Sequence, residues 1–420
     1  MATPSSILLP VLLACAGHAL AQDQEQKTRP PNVVMIISDD QAWTDFGFMD
    51  HPAIKTPHLD ALAARSVVFK HGYVPTSLCR PSLATMITGL YPHSHGLTGN
   101  DPPDGAPRDR MLKHIESVAT LPKLLAPLGY RSLQTGKWWE GNCSCGGFSD
   151  GMTHGDSKRG GRHGDEGLKI GRKTMQPIYD FLDECGEQPF FLWYAPFLPH
   201  TPHNPPKRLL DKYTTEGRSV HLAKYYAMCE WFDETCGELL GDLKRRGLED
   251  DTLVVFVTDN GWVQRENRRG FAPRSKRSPY EAGVRTPILL SWPAALKPCQ
   301  RDDLASSIDL APTILRACGL EPDQKLPGRD LTKVAAEGHP IYGETFSHDL
   351  ADLDAPNKSL RTRWLITSGW KLIAPKKADK PAELYHLTQD PHERKDLALD
   401  DPERVRAMLA MLDAWWRLPE

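Results

Sequence analysis

The 420-residue chain carries a formal net charge of −3, with 51 Lys and Arg against 54 Asp and Glu. That near balance excludes the strongly basic surface that nucleic-acid binding needs, and the length allows one large core with a smaller one appended. An apolar run from Ile7 to Cys15, too short to span a bilayer, precedes small residues Ala19 and Ala21 and then Gln22. This reads as a signal peptide over 1–21. Leu12-Leu13-Ala14-Cys15 also resembles a lipoprotein processing site, with a lipid anchor at Cys15; either reading makes the protein periplasmic or secreted, with no membrane span.

After a polar linker over 22–31, "NVVMIIS" is a continuous apolar, β-branched run, as expected of a strand buried on both faces, and it stops at Asp39-Asp40. "QPFFLWYAPFLPH" is a second such run, ending in a proline-rich loop with His200. "DTLVVFVTDNG" is a third, stopping at Asp259-Asn260-Gly261. Helical patterns lie over Thr56 to Arg65, Leu121 to Leu128, Arg172 to Glu184 and Leu222 to Arg246. Strands alternating with helices predict an α/β fold with a large, mostly parallel sheet flanked by helices, whose ligand site lies at the carboxyl ends of the strands. Beyond Gly343 the texture changes to short strand-like pieces, "RWLITSG" and "WKLIAP", then "AELYHLTQDP" and a helix from Pro402 to Trp416. This predicts a catalytic domain over 30–343 and a small α+β subdomain over 344–420, with "ELYHLTQDPHERKDLA" read as loop and helix start.

Between Gly141 and Gly171 runs a Gly-, Asp-, Arg- and His-rich stretch without apolar period, placed to shape a polar site. Nine cysteines include Cys15, which signal cleavage would remove. Cys229 and Cys236 share one helix face and read as core, a lone Cys143-Ser144-Cys145 is weak evidence for a metal, and no disulfide is assigned. Cys79 is different. In "TSLCRPSLATMITGLYPHSHG", Pro81 near the start and Gly89 past the end bound a short helix, putting Cys79 at its N-terminus, where amide groups and the helix dipole favour negative charge. Asp39, Asp40, Asp259 and Asn260 offer hard oxygen ligands from two strand ends, which suits Ca²⁺ or Mg²⁺ rather than zinc.

"PNVVMIISDDQAWTDFGFMDHPAIKTPHLDALAARSVVFKHGYVPTSLCRPSLATMITGLYPH" resembles the opening of a formylglycine-dependent (type I) sulfatase of the alkaline phosphatase superfamily. The likeness continues through "LGYRSLQTGKW", "FFLWYAPFLPHTPH", "VVFVTDNG", "SKRSPYEAGVRTP" and "ELYHLTQDP". The resemblance implies an alkaline-phosphatase-like fold and a sulfuric-ester hydrolase acting on a sulfated carbohydrate. It implies that Cys79 is oxidised to formylglycine by a formylglycine-generating enzyme, and that Asp39, Asp40, Asp259 and Asn260 hold Ca²⁺ together with the modified Cys79. Lys276 and His200 match the residues that bind sulfate and protonate the leaving oxygen, and Lys137 matches the lysine beside the formylglycine. Two positions depart from the family pattern. Leu83 stands where Cys-x-Pro-Ser-Arg has arginine, leaving Arg80 as the substitute if its side chain folds back, and Trp139 stands where "GKWH" has histidine. Arg162 and His163, or His93 and His95, are the further candidates to supply the missing polar groups, and Trp138, Trp139, Trp193 and Trp262 to stack against sugar. The alternative readings are a phosphoesterase or phosphonate hydrolase of the same superfamily and an inactive sulfate-binding relative.

Overall fold

The computed structural model describes residues 30–156, 161–321, 326–336, 338–377 and 379–418. The signal peptide and the Cys15 anchor site lie outside them. Two sheets organise the chain. The larger comprises β1 (Asn32–Ser38), β2 (Val67–Tyr73), β3 (Arg131–Gly136), β4 (Asp150–Gly151), β5 (Phe190–Ala195), β6 (Thr252–Thr258), β7 (Arg285–Ser291), β8 (Cys299–Arg301) and β9 (Ala305–Ser306). Its order is β4-β3-β5-β1-β6-β7-β2-β8, with β9 also on β2. All pairs are parallel except those of β7, which runs against both β6 and β2.

The apolar runs form central strands because each feeds two cores. Val33, Met35 and Ile37 of β1 face one core while Val34 and Ile36 face the other. In β6, Leu253, Val255 and Val257 divide from Val254 and Phe256 in the same way. Helices Cys79–Thr88, Leu121–Leu125 and Leu310–Ala317 cover the first face, and Pro57–Ala64, Gln176–Cys185 and Val220–Arg245 the second. The helix Gln176–Cys185 starts at Gln176, not at the expected Arg172, with a proline in its first two positions. Strands β2, β3 and β7 escape the sequence reading; Lys70 and His71 interrupt β2, and "RSLQTG" is largely polar.

The smaller sheet is antiparallel, in the order β10 (Ile341–Phe346), β11 (Leu360–Thr367), β12 (Trp370–Pro375), β13 (Glu383–His386). It begins at Ile341, ahead of the expected change of texture. Glu383–His386 is a strand, which corrects the reading of that segment as loop, and the last helix spans Pro402–Trp415. Its Met408 and Leu412 pack on Leu365, Leu372 and Leu384. A buried ion network ties this sheet to the larger one: Lys371 Nζ lies 3.0 Å from Glu281 and 2.9 Å from Glu393, with no exposed side-chain surface. Among the described residues every cysteine is a free thiol, and no helix is long and apolar enough to cross a membrane.

Candidate active site

Asp39-Asp40 and Asp259-Asn260 directly follow β1 and β6, which run parallel in a register pairing Ser38 with Thr258. The four side chains are therefore neighbours at one sheet edge, and all are buried. Asp40 takes a left-handed φ of 64°, an uncommon conformation for a residue with a Cβ and one that clusters at functional sites. Its backbone N–H donates to Asp259 Oδ1 at 2.9 Å, and Asn260 Nδ2 donates to Asp40 Oδ1 at 2.7 Å.

Three further segments bring cations to this edge. Gly136 ends β3 at a φ of 76°, so close to β5 that a Cβ would lie 1.9 Å from the Ala195 carbonyl oxygen. Only glycine allows that turn, and it delivers Lys137, whose Nζ donates to Asp39 Oδ1 at 2.5 Å and Asp259 Oδ2 at 3.2 Å. Lys276 Nζ donates to both Asp40 oxygens, at 2.5 and 2.7 Å, and lies 3.2 Å from Cys79 Sγ. His200 Nδ1 is 2.6 Å from the Thr201 carbonyl, which places its proton there, and Nε2 is 3.4 Å from Asp40 Oδ2. Cys79 opens the helix Cys79–Thr88, and its Sγ is 3.9 Å from Asp40 Oδ1.

This donor set fits a hard divalent cation. One ligand atom each from Asp39, Asp40, Cys79 and His200 lies within 4.8 Å of the others. Asp39 Oδ2 and Asn260 Oδ1 are buried acceptors without a protein partner, and three carboxylates face only two ammonium groups. Burial pushes the Asp259 carboxyl up to about 7 and raises Asp39, against the pull of Lys137. Asp40 goes the other way: Lys276, His200 and Lys137 outweigh the burial that would raise it. Burial also pushes the Cys79 thiol up to about 12 despite Lys137 and Lys276, so the unmodified thiol is a poor nucleophile at neutral pH.

The structure gives Arg80 a different task from the expected one. Its Nε and one terminal nitrogen donate to the two Glu140 oxygens, each at 2.7 Å, and the remaining bonds go to the Gly99 and Met111 carbonyls. The fork is filled by protein acceptors, and Arg80 does not line the cavity over Cys79. The expectation that Arg80 replaces the missing arginine is corrected accordingly. Its backbone N–H is taken as well, by Asn100 Oδ1 at 3.1 Å. Leu83 lies in the core. His93 pairs with Glu344, and His95 is buried against Thr85, so neither reaches the cavity.

The Gly-rich stretch does reach it. Trp138 N–H donates to the His163 carbonyl at 2.8 Å, and this places Arg162 and His163 on the cavity wall with Trp139. The Arg162 guanidinium lies 5.4 Å from the Trp139 ring centre, and His163 meets that ring edge-on at 4.6 Å. Arg162 is anchored by Asp101 at 2.9 Å. Of the four tryptophans named as sugar platforms, only Trp139 lines the cavity; Trp138 and Trp193 belong to the core and Trp262 to a small cluster with Tyr225. Sequence reasoning missed Asn100, His203 and His348, which also line the cavity. His203 stood inside the quoted "LPHTPH", whereas His348 comes from the C-terminal subdomain with no local signal.

A mostly parallel sheet with an acidic, lysine-braced cluster at its carboxyl edge and a small antiparallel C-terminal sheet is the alkaline phosphatase type of fold. A family model described as Sulfatase matches residues 31–320, and one described as N-sulphoglucosamine sulphohydrolase, C-terminal, matches 271–414. The chain is 30% identical to N-acetylgalactosamine-6-sulfatase of Rattus norvegicus over 96% of its own length and 87% of the relative's. It is 30% identical to arylsulfatase A of Homo sapiens, over 79% and 71% of the two chains. The solved structure of Ps i-CgsB in complex with k-i-k-neocarrahexaose superposes with a TM-score of 0.77 at 24% identity, covering 93% of each chain. The protein belongs to the sulfatase family of the alkaline phosphatase superfamily and is a sulfuric-ester hydrolase.

Proposed function

We propose that the protein hydrolyses the sulfate ester of a sulfated carbohydrate, using a formylglycine made from Cys79 and a Ca²⁺ ion held by Asp39, Asp40, Asp259 and Asn260 with the modified residue. The observation that carries this reading is the position of Cys79: a buried thiol at a helix start, 3.2 Å from Lys276, beside two partnerless buried oxygens, Asp39 Oδ2 and Asn260 Oδ1. A formylglycine at position 79, once hydrated, would supply a geminal-diol oxygen as nucleophile toward sulfur and a second hydroxyl that would let sulfate leave. The cation supplies charge for the diol and the sulfate oxygens.

The chain's own groups do the rest. Lys276 binds the sulfate oxygens and stabilises charge developing toward the leaving alcohol. His200 keeps its one proton on Nδ1, shared with the Thr201 carbonyl; burial pushes its pKa down to about 3, so Nε2 takes up a proton for the leaving oxygen only once the negative charge of bound sulfate offsets that burial. Lys137 bridges Asp39 and Asp259 and fixes their spacing. Arg162, held over Trp139, takes the charge-neutralising part that Leu83 cannot play. The apolar leader over 1–21 directs this enzyme to the periplasm or outside the cell, where the polymer substrate is met.

The test combines the mass of the Cys79 peptide with turnover of 4-nitrophenyl sulfate and metal analysis. Formylglycine at position 79, stoichiometric calcium and a loss of about 10³-fold or more in Cys79→Ala are expected. Unmodified cysteine in an enzyme that turns over fully would overturn the covalent mechanism. A higher kcat/KM for phosphonate monoesters than for any sulfate would overturn the substrate class.

A further inference from the structure

The cavity over Cys79 has a charge pattern that cleavage of one sulfate does not require. Its volume is about 900 Å³, near the upper end of the range for small-molecule sites. Among the described residues that line it there is no Asp or Glu, although acids outnumber bases in the chain as a whole. The basic residues fall into two groups. Lys276 and Arg162, which the proposed reaction already uses, pair with Asp40 and Asp101. Lys224, in the second turn of the helix Val220–Arg245, and Arg269, in the loop after β6, also line the cavity and have no ion-pair partner among the described residues. His221, one helical turn before Lys224, lines the cavity as well.

Unpaired cations on the wall of a cleft focus positive potential into it, and an arginine fork matches the two oxygens of a carboxylate or sulfate. Cations that served only solubility would be interspersed with acids, as elsewhere on this chain. We propose that the substrate carries a second anionic group, a sulfate or a uronate carboxylate, remote from the ester that is cleaved, and that Lys224 and Arg269 bind it. This rests on the sulfatase reading of the Cys79 site for the identity of the first anion. It makes the substrate class a polyanionic oligosaccharide rather than a monosulfated neutral sugar.

The experiment uses three probes: a hexosamine monosulfate, the same sugar bearing a second sulfate, and the same sugar linked to a uronic acid. Each is measured for kcat/KM and, by calorimetry, for affinity, at low and high salt. The wild-type enzyme is expected to favour at least one doubly charged probe by about tenfold at low salt, mainly through KM, with the preference shrinking as salt rises. The favoured probe identifies the second anion as sulfate or carboxylate. In Lys224→Ala and Arg269→Ala the ratio of doubly to singly charged kcat/KM is expected to fall five- to tenfold. Equal treatment of all three probes, or an unchanged ratio in both variants, would overturn the proposal. Calorimetry separates the two readings. If no probe is hydrolysed but the doubly charged ones still bind more tightly, and lose that advantage in the variants, the sulfatase reading fails and the second-anion site stands.

Discussion

Arg80 and Glu140 show how far one side chain's role depends on what it meets. The two side chains are 0% and 4% exposed and form a two-pronged ion pair at the residue next to Cys79 in the chain. Breaking such a pair leaves a buried charge uncompensated, at a cost of about 3–5 kcal/mol, whereas replacing both partners by apolar groups is often close to neutral. Arg80→Ala is therefore expected to lower stability in urea unfolding by that amount. Turnover per molecule carrying formylglycine, counted by peptide mass, should change only a few-fold. Arg80→Met combined with Glu140→Leu should recover most of the loss. A large fall in kcat with unchanged stability would return Arg80 to the chemistry.

The helix Pro57–Ala64 is held at its start by a residue from another helix. Asp233 Oδ1 and Oδ2 accept the Leu59 and His58 N–H groups at 2.8 and 3.2 Å, occupying donors that helix ends leave free. Burial pushes this carboxyl up to about 7 in spite of those bonds. A carboxyl raised on folding contributes stability that is fully present below its ordinary value near 4 and lost as pH rises through about 7. Asp233→Asn keeps an acceptor but cannot ionise. Thermal unfolding of the variant should lose stability less steeply than wild type between pH 4 and 8, by on the order of 2–4 kcal/mol. Parallel pH curves for the two proteins would refute the assignment.

At the scale of elements, strands β1, β5 and β6 were legible because burial on both faces leaves an unbroken apolar run. The acids at the ends of β1 and β6 were legible because a hard-ligand pair after such a run is conspicuous. Strand β3 was not, since its polar residues are satisfied by neighbours that no local pattern reveals. Thr135 donates to the Trp193 carbonyl, and Gln134 Oε1 accepts the Thr153 N–H. The partner of Arg80 was hidden for the same reason: Glu140 lies sixty residues along the chain. Only folding brings the two together.

For the whole molecule, the joint between the two sheets rests on Lys371. Its ammonium is enclosed by Glu281, from the segment before β7, and by Glu393, which also accepts the Glu281 N–H at 2.7 Å. Tyr73 at the end of β2 donates to Glu281 as well, at 3.0 Å. Lys371→Met would leave two carboxylates facing each other in a dry interface. The expected result is a loss of about 3–5 kcal/mol, and limited proteolysis should cut first near the connection into β10. An unchanged melting temperature would show that the apolar contacts of Trp364 with Tyr73 hold the joint without the charges.

The depth of Cys79 also sets an order of events. Its side chain is 1% exposed, hemmed in by Lys276 and Asp40, and open only to a cavity sized for a small molecule. Another protein's catalytic cleft cannot close around a residue so placed. Any enzyme that oxidises Cys79 must therefore meet the segment while it is still an extended peptide, before β6 and the Lys276 loop, some two hundred residues downstream, have come to rest on it. Under the formylglycine proposal, maturation would be a race against folding: a chain that folds first would seal in an unconverted thiol, and slower folding would raise the converted fraction without altering a single contact in the finished site.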